Sequence, residues 1–455
     1  MSDRVGTLVI LGAAGDLTAR LLLPGLGELL DAGGFDDLRL LGVGRDGLDD
    51  ASWQRRVAGS FHAGGATGSA SAKVAEKTRY LRADVTRTED LRRVLDACDG
   101  VPALYFALPP AVTAAACATL SGIGVPEGTV FALEKPFGTD LDSARALNRR
   151  LAQLVPERQI HRIDHFLGKS TVLNLLGLRF ANRIFESVWN ADNIAEVEIT
   201  FDERLALEGR AGYYDKAGAL EDMLQSHLLL VLALVAMEPP SSLDPDDLRG
   251  AMAQVLRATR VWDQDAAAAS RRARYTAGTM GTRQLVPYIE EPGVDPARGT
   301  ETLAEVRLGI ENWRWAGVPF IIRSGKALSD DRKEIVVTFK DVPHLPTGFS
   351  GTHGPSRVRI ALTPDEIGLD VVINGEGDPF DLEKATLRAA FGAGDLPPYG
   401  EVLSGLLSND PTLSVRADVV EECWRIVTPV LAAWSADQVP LENYPAASTG
   451  PAGWS

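Results

Sequence analysis

A chain of 455 residues exceeds the roughly 250–300 at which a single hydrophobic core stops growing, so two domains are expected. With 45% hydrophobic and 24% charged residues it has the make-up of a globular protein, which argues against disordered and fibrous classes. The formal charge of −16 argues against a nucleic-acid or membrane partner, because binders of those polyanions carry a basic face.

The predicted elements begin with the short apolar run TLVIL (7–11), which leads into a glycine turn and reads as a strand, since a signal peptide needs a longer apolar stretch and a cleavage site. A helix through RLLLPGLGELL, the strand LRLLGVG, a helix, the strand ALYFAL, a helix and the strand of GTVFALEKP follow. Strands alternating with helices imply a parallel, Rossmann-type sheet. GGATGSASA (64–72) interrupts this texture with small residues and is expected to be an exposed loop.

From about Ile194 the texture changes to alternating strands such as AEVEITF, EIVVTF and RVRIAL, mixed with long helices, which suggests an antiparallel sheet. The apolar run Leu228–Met237 is about half the length needed to span a bilayer and reads as a buried helix. The expected division is an α/β domain over 1–175 and an α+β domain over 176–455. Cys98, Cys117 and Cys423 have neither paired nor metal-type spacing, which fits a reduced, cytoplasmic compartment and predicts no metal site.

A strand, then Gly12-Ala13-Ala14-Gly15-Asp16, then a helix, is the order a dinucleotide requires: backbone without β-carbons approaches the pyrophosphate while helix-start N–H groups point at it. A third glycine is missing, so a plain βα turn remains an alternative. At the end of the second strand Arg45 suits a ribose 2′-phosphate, because its planar fork pairs bidentately with it. NADP is thus favoured, and the adjacent Asp46 leaves NAD open. Lys135 closes a Rossmann strand, where ligands of open α/β sheets bind.

The stretch RIDHFLGK (162–169) is polar beside a segment that must cross the interior. Read as a helix, it puts His165 and Lys169 on one face at i, i+4 and turns Asp164 about 100° away. One segment can then aim a carboxylate one way and two potential cations another. The rival reading is a helix start capped by Asp164.

With YFALPP (105–110), LEKPFG (133–138), RIDHFLGK, LRFANRIFESVWN, ITFDE, EGRAGYYDKAGALEDMLQSHLL, ETLAEVRLGIENWRWAGVPFIIRSGKAL and VEECWRIVTPVLAAW, the chain resembles the glucose-6-phosphate 1-dehydrogenase family from about residue 7 to 447. The resemblance implies a Rossmann-type domain followed by an α+β domain with a large, mainly antiparallel sheet that binds substrate and forms the oligomer, a homodimer or homotetramer. It implies hydride transfer from C1 of glucose 6-phosphate to NADP, giving 6-phosphogluconolactone, the first step of the oxidative pentose phosphate pathway.

It further implies His227 as the base for the C1 hydroxyl, with Asp164 orienting it. His165 and Lys169 would hold the 6-phosphate, and Lys135, Glu203, Asp222 and Lys326 would contact the substrate. Gly12, Ala13, Gly15, Asp16, Leu17, Arg45, Tyr105 and Lys135 form the expected cofactor set.

Some positions depart from the family. Phe166 stands where the family has tyrosine, Ser170 where glutamate is common, QSH replaces QNH, and Leu21 stands where many members have lysine. The basic residue expected after Lys326 falls on Asp331, with Arg332 next to it as a substitute. Two rivals follow: a same-fold dehydrogenase of another hexose or hexose 6-phosphate, and a non-catalytic paralogue.

Overall fold

The computed structural model describes residues 4–390 and 396–454. They divide into two compact units, the first built from Met1–Ser170, Pro240–Ala251 and Gly394–Glu421, the second from Thr171–Pro239, Met252–Ala393 and Glu422–Ser455.

The first unit holds β1 (Val5–Leu11), β2 (Arg39–Gly44), β3 (Arg79–Arg82), β4 (Val101–Phe106), β5 (Val130–Glu134) and β6 (Ile160–Ile163), paired in parallel in the order β3-β2-β1-β4-β5-β6. The order reverses between β1 and β4, the point at which open α/β sheets bind nucleotides. β1, β4 and β5 are almost wholly apolar and buried, as strands covered on both faces must be. The connecting helices are α1 (Leu23–Ala32), α2 (Asp50–Ala63), α3 (Ser69–Lys77), α4 (Thr88–Asp96), α5 (Pro110–Ile123) and α6 (Leu141–Leu154).

Two local expectations are corrected here. Residues 69–72 of the expected loop are the first turn of α3. The Asp31 carboxylate of α1 accepts the N–H groups of Gly68 (2.6 Å) and Ser71 (3.1 Å), so a cap supplied from a distant element starts the helix. The stretch after β6 is not helical at His165 and Lys169. It folds as successive tight turns, with Leu167 N–H to the Asp164 carbonyl, Gly168 to His165 and Lys169 to Phe166 (3.1–3.2 Å), and helix begins only at Ser170. The i, i+4 argument therefore fails in its geometry.

The second unit is built on an eleven-stranded, mostly antiparallel sheet. Strand Ile194–Asp202 pairs antiparallel with Lys333–Phe339 and parallel with Phe320–Gly325. Its central helix runs as α-helix over Ala211–Ala219, as π-helix over Leu220–Leu228 and as α-helix over Leu229–Ala236. Every residue of Leu229–Ala236 is buried, as an all-round apolar helix requires.

Candidate active site

At the C-terminal end of β1 the chain turns through Gly12–Asp16. Gly12 lies at φ 94°, and a β-carbon there would meet the Ala107 carbonyl at 2.2 Å, so glycine alone lets the turn close. The N–H groups of Gly12 and Ala13 go to the Val43 carbonyl (2.8 and 3.0 Å), and that of Gly15 to the Gly12 carbonyl (2.9 Å). Helical structure begins at Asp16, so the Asp16 and Leu17 N–H groups stand where an intrahelical acceptor is missing by geometry. Gly12, Ala13 and Gly15 shape the turn, while the Asp16 and Leu17 N–H groups open the helix that follows.

Beyond β2, Arg45 lines a cavity of about 350 Å³ with Arg82, Arg87 and Arg93, among which stand Asp84 and Asp90. Arg82 Nε donates to the Arg45 carbonyl at 3.1 Å. Four guanidinium groups around one cavity suit a phosphate, and with the glycine turn they fit a phosphorylated dinucleotide. Sequence reading found only Arg45, because arginines spread over β3, α4 and the turn between them show no pattern until folding gathers them.

Tyr105 is fully buried, and its hydroxyl is taken by Glu134 at the end of β5. Tyr399, from the helix Pro398–Ser408, also bonds Glu134. Burial pushes the Glu134 carboxyl up to about 7 against the opposing hydrogen bonds of the two tyrosines, with Asp164 raising it further and Lys135 lowering it. Lys135 follows directly, across a cis peptide bond to Pro136. Glu134 and Tyr399 escaped sequence reading: the glutamate was visible in LEKPFG, but its partner lies far along the chain.

The turns after β6 bring Asp164, His165 and Lys169 together. Asp164 is buried and its Oδ1 accepts the Phe166 N–H (3.1 Å), so it braces the turn. The His165 ring lies over the Tyr399 ring, with centroids 5.9 Å apart and planes 15° apart, and meets Phe166 edge-on at 5.2 Å. The Lys169 ammonium sits 4.3 Å from the Phe166 ring centroid, a cation–π contact.

In the second unit the Lys326 ammonium bonds Glu203 Oε2 at 2.7 Å and lies 5.1 Å from the Tyr214 ring. Asp222 and His227, both buried, share the π-helical segment, and Asp222 is hydrogen-bonded to Tyr213. Arg332 lies 3.8 Å from Asp202, and Asp331 accepts the Arg204 N–H at 3.1 Å. The segment's first N–H, that of Leu220, is taken by buried Glu301 at 2.9 Å. Burial pushes the Glu301 carboxyl up to about 7.

The chain's two halves match family profiles described as "Glucose-6-phosphate dehydrogenase, NAD binding domain" over residues 9–174 and "Glucose-6-phosphate dehydrogenase, C-terminal domain" over residues 176–455. This chain belongs to the glucose-6-phosphate dehydrogenase family. The glucose-6-phosphate 1-dehydrogenase of Gluconobacter oxydans is 39% identical, with 97% of this chain and 94% of that protein covered. The Mycolicibacterium smegmatis enzyme of the same name is 38% identical at the same coverage. The crystal structure of glucose-6-phosphate 1-dehydrogenase from Mycobacterium avium superposes with a TM-score of 0.86 at 34% identity, covering 98% of this chain and 95% of that one. A glucose-6-phosphate dehydrogenase solved with its substrate glucose-6-phosphate gives 0.90 at 27% identity, covering 100% and 97%.

The expected family fold, a Rossmann-type parallel sheet followed by a mainly antiparallel one, is the fold observed. Within the first unit of this glucose-6-phosphate dehydrogenase family member, Lys135, Asp164, His165 and Lys169 follow the carboxyl ends of β5 and β6. Glu203, Asp222, His227 and Lys326 belong to the second.

Proposed function

We propose that this chain oxidises glucose 6-phosphate at C1 to 6-phosphogluconolactone with NADP as acceptor. The carrying observation is the family likeness along nearly the whole chain to relatives that bear that activity in their names; the arginine-lined cavity after β2 supports NADP over NAD. NADP, when bound, accepts the C1 hydride.

The residues of this chain do the rest. His227 takes the C1 hydroxyl proton as the hydride departs, so one hydride and one proton leave the sugar and the carbonyl of the lactone forms. Asp164 is assigned to orient that imidazole and to stabilise the imidazolium. His165 and Lys169 hold the 6-phosphate, and Asp222 and Glu203 accept from sugar hydroxyls, Glu203 being paired with Lys326 at 2.7 Å. A homodimer or homotetramer in the cytoplasm completes the reading.

Initial rates of NADPH and NADH formation, with glucose 6-phosphate and with glucose at matched concentrations, test it. NADPH formation from glucose 6-phosphate should dominate, and His227→Asn should abolish turnover while substrate still binds. One observation favours a second reading, a dehydrogenase of another hexose: Phe166 lacks the hydroxyl that the family turns toward the phosphate. Equal catalytic efficiency with free glucose would decide for it.

A further inference from the structure

We infer that Glu134 and Tyr399 are positioning residues that fix the plane of the His165 imidazole for phosphate binding. The inference rests on the proposed role of His165 in holding the 6-phosphate.

An imidazole on a turn has two free side-chain torsions and orders only where neighbours confine it. His165 is confined by the Tyr399 ring over its face and the Phe166 ring at its edge. The face contact orients it only if Tyr399 is itself immobile, and Tyr399 is held at both ends. At its root, α1 approaches so closely that a β-carbon on Gly25 would lie 2.9 Å from the Gly400 nitrogen and 3.1 Å from the Tyr399 carbonyl carbon. At its tip, the hydroxyl is bonded to Glu134.

Glu134 is anchored in turn by a second hydroxyl, that of fully buried Tyr105 on β4. The chain of contacts therefore runs from the sheet through Tyr105, Glu134 and Tyr399 to His165. None of the first three needs to touch a ligand for the fourth to depend on them.

The test compares full-length Tyr399→Phe, Tyr399→Leu, Glu134→Ala, Glu134→Gln and His165→Ala with wild type. The readouts are the KM for glucose 6-phosphate, the KM for NADP, kcat, and the inhibition constant of inorganic phosphate. Loss of the ring or of the carboxylate should raise both the sugar-phosphate KM and the phosphate inhibition constant about tenfold. The KM for NADP and kcat should stay within about threefold. Tyr399→Phe, which keeps the ring and deletes only the anchor, should give a smaller rise of about threefold, and Glu134→Gln, whose amide accepts from one hydroxyl through Oε1 and donates to the oxygen of the other through Nε2, should recover most of the affinity.

Unchanged sugar-phosphate KM in Tyr399→Phe and Tyr399→Leu overturns the inference, as does an equal rise in both KM values. Should the alanine or leucine variants fail to fold, the Phe and Gln pair decides alone. If His165→Ala loses phosphate affinity and the Tyr399 variants do not, the inference alone fails. If wild type neither turns over glucose 6-phosphate nor binds inorganic phosphate, the reading beneath it fails.

Discussion

Phe166 offers a physical reason why a family tyrosine can be replaced without dismantling the turn. Its ring carries the Lys169 ammonium on its face, 4.3 Å from the centroid, and meets the His165 ring edge-on at 5.2 Å. The hydroxyl is lost, but the apolar platform remains, and the platform positions the Lys169 and His165 side chains. Phe166→Leu should therefore cost about as much as the hydroxyl did: loss of a cation–π contact worth about 1 kcal/mol predicts a rise of about fivefold in the KM for glucose 6-phosphate. Phe166→Tyr should lower that KM by a similar factor, since one hydrogen bond contributes about 1 kcal/mol. Steady-state kinetics on the two variants checks both directions. At the cofactor end, the proposed preference for NADP over NAD should fall about tenfold in Arg45→Ala, the worth of one charge-assisted pair. Arg82, Arg87 and Arg93, which line the same cavity, should keep the preference from vanishing.

At the scale of elements, the bearing of Asp222 and His227 depends on helix type. Residues five apart on an α-helix point about 140° away from one another at 3.6 residues per turn. With i→i+5 bonding over Leu220–Leu228 the same spacing brings them nearer one face. The π-helix starts where Gly218 breaks the preceding helix at φ 64° and Glu301 takes the Leu220 N–H. A β-carbon on Gly218 would lie 2.3 Å from Glu301 Oε1, so the carboxylate sits where a side chain at 218 would have to go. Gly218→Ala should destabilise by at least ~2 kcal/mol, measured by denaturant unfolding, and lower kcat. Combined with Glu301→Gly, which removes the clash, it should cost less than the sum of the single changes.

The elements most legible in the sequence were those whose signal is local. β1, β4 and β5 announce themselves as apolar runs ended by glycine or proline, and the Leu229–Ala236 helix as an unbroken apolar stretch. What the sequence hid depends on partners supplied from afar. Helix α3 begins among glycines and serines because Asp31 caps it. The turn at Asp164–Lys169 carries a helical spacing of charges yet winds as tight turns braced by the Asp164 carboxylate. Glu134 meets Tyr399 only once the chain has returned to the first unit. His165 and His227 were singled out because they sit in family phrases; their histidine chemistry alone would not have separated them from His161. That residue is buried against Ser414 at 3.0 Å, and burial pushes its pKa down to about 4.

Across the whole molecule, the displaced titrations divide unequally between the two units and predict different responses to pH. In the first, the Glu134 carboxyl is raised to about 7 and His161 is lowered to about 4. A carboxyl raised on folding contributes stability that is complete below its unfolded value near 4.5 and is lost as pH climbs through 7. A histidine lowered on folding contributes stability that is complete above 6.5 and is lost as pH falls through 4. Between 4.5 and 6.5 the folded first unit binds one extra proton at Glu134 and one fewer at His161, so these two groups cancel. In the second unit Asp370 alone among the displaced carboxyls is lowered, against burial and by its Arg359 and Thr386 hydrogen bonds, a response that falls below about pH 4 and outside the neutral range. Glu301 is raised to about 7 by burial, and Glu196, Asp202 and Glu305 are raised by burial in the same direction. The second unit should therefore lose stability as pH rises from 5 to 7.5. Tryptophan emission reports on it selectively, because Trp53 is the one tryptophan of the first unit and the remainder of the chain's 8 lie in the second. The fluorescence-monitored denaturation midpoint should fall over that range. In Glu301→Gln, which cannot titrate yet still accepts the Leu220 N–H, the dependence should be shallower by about one proton. Parallel pH profiles for wild type and Glu301→Gln would show that Glu301 is ionised in the folded state and that this account of the second unit is wrong.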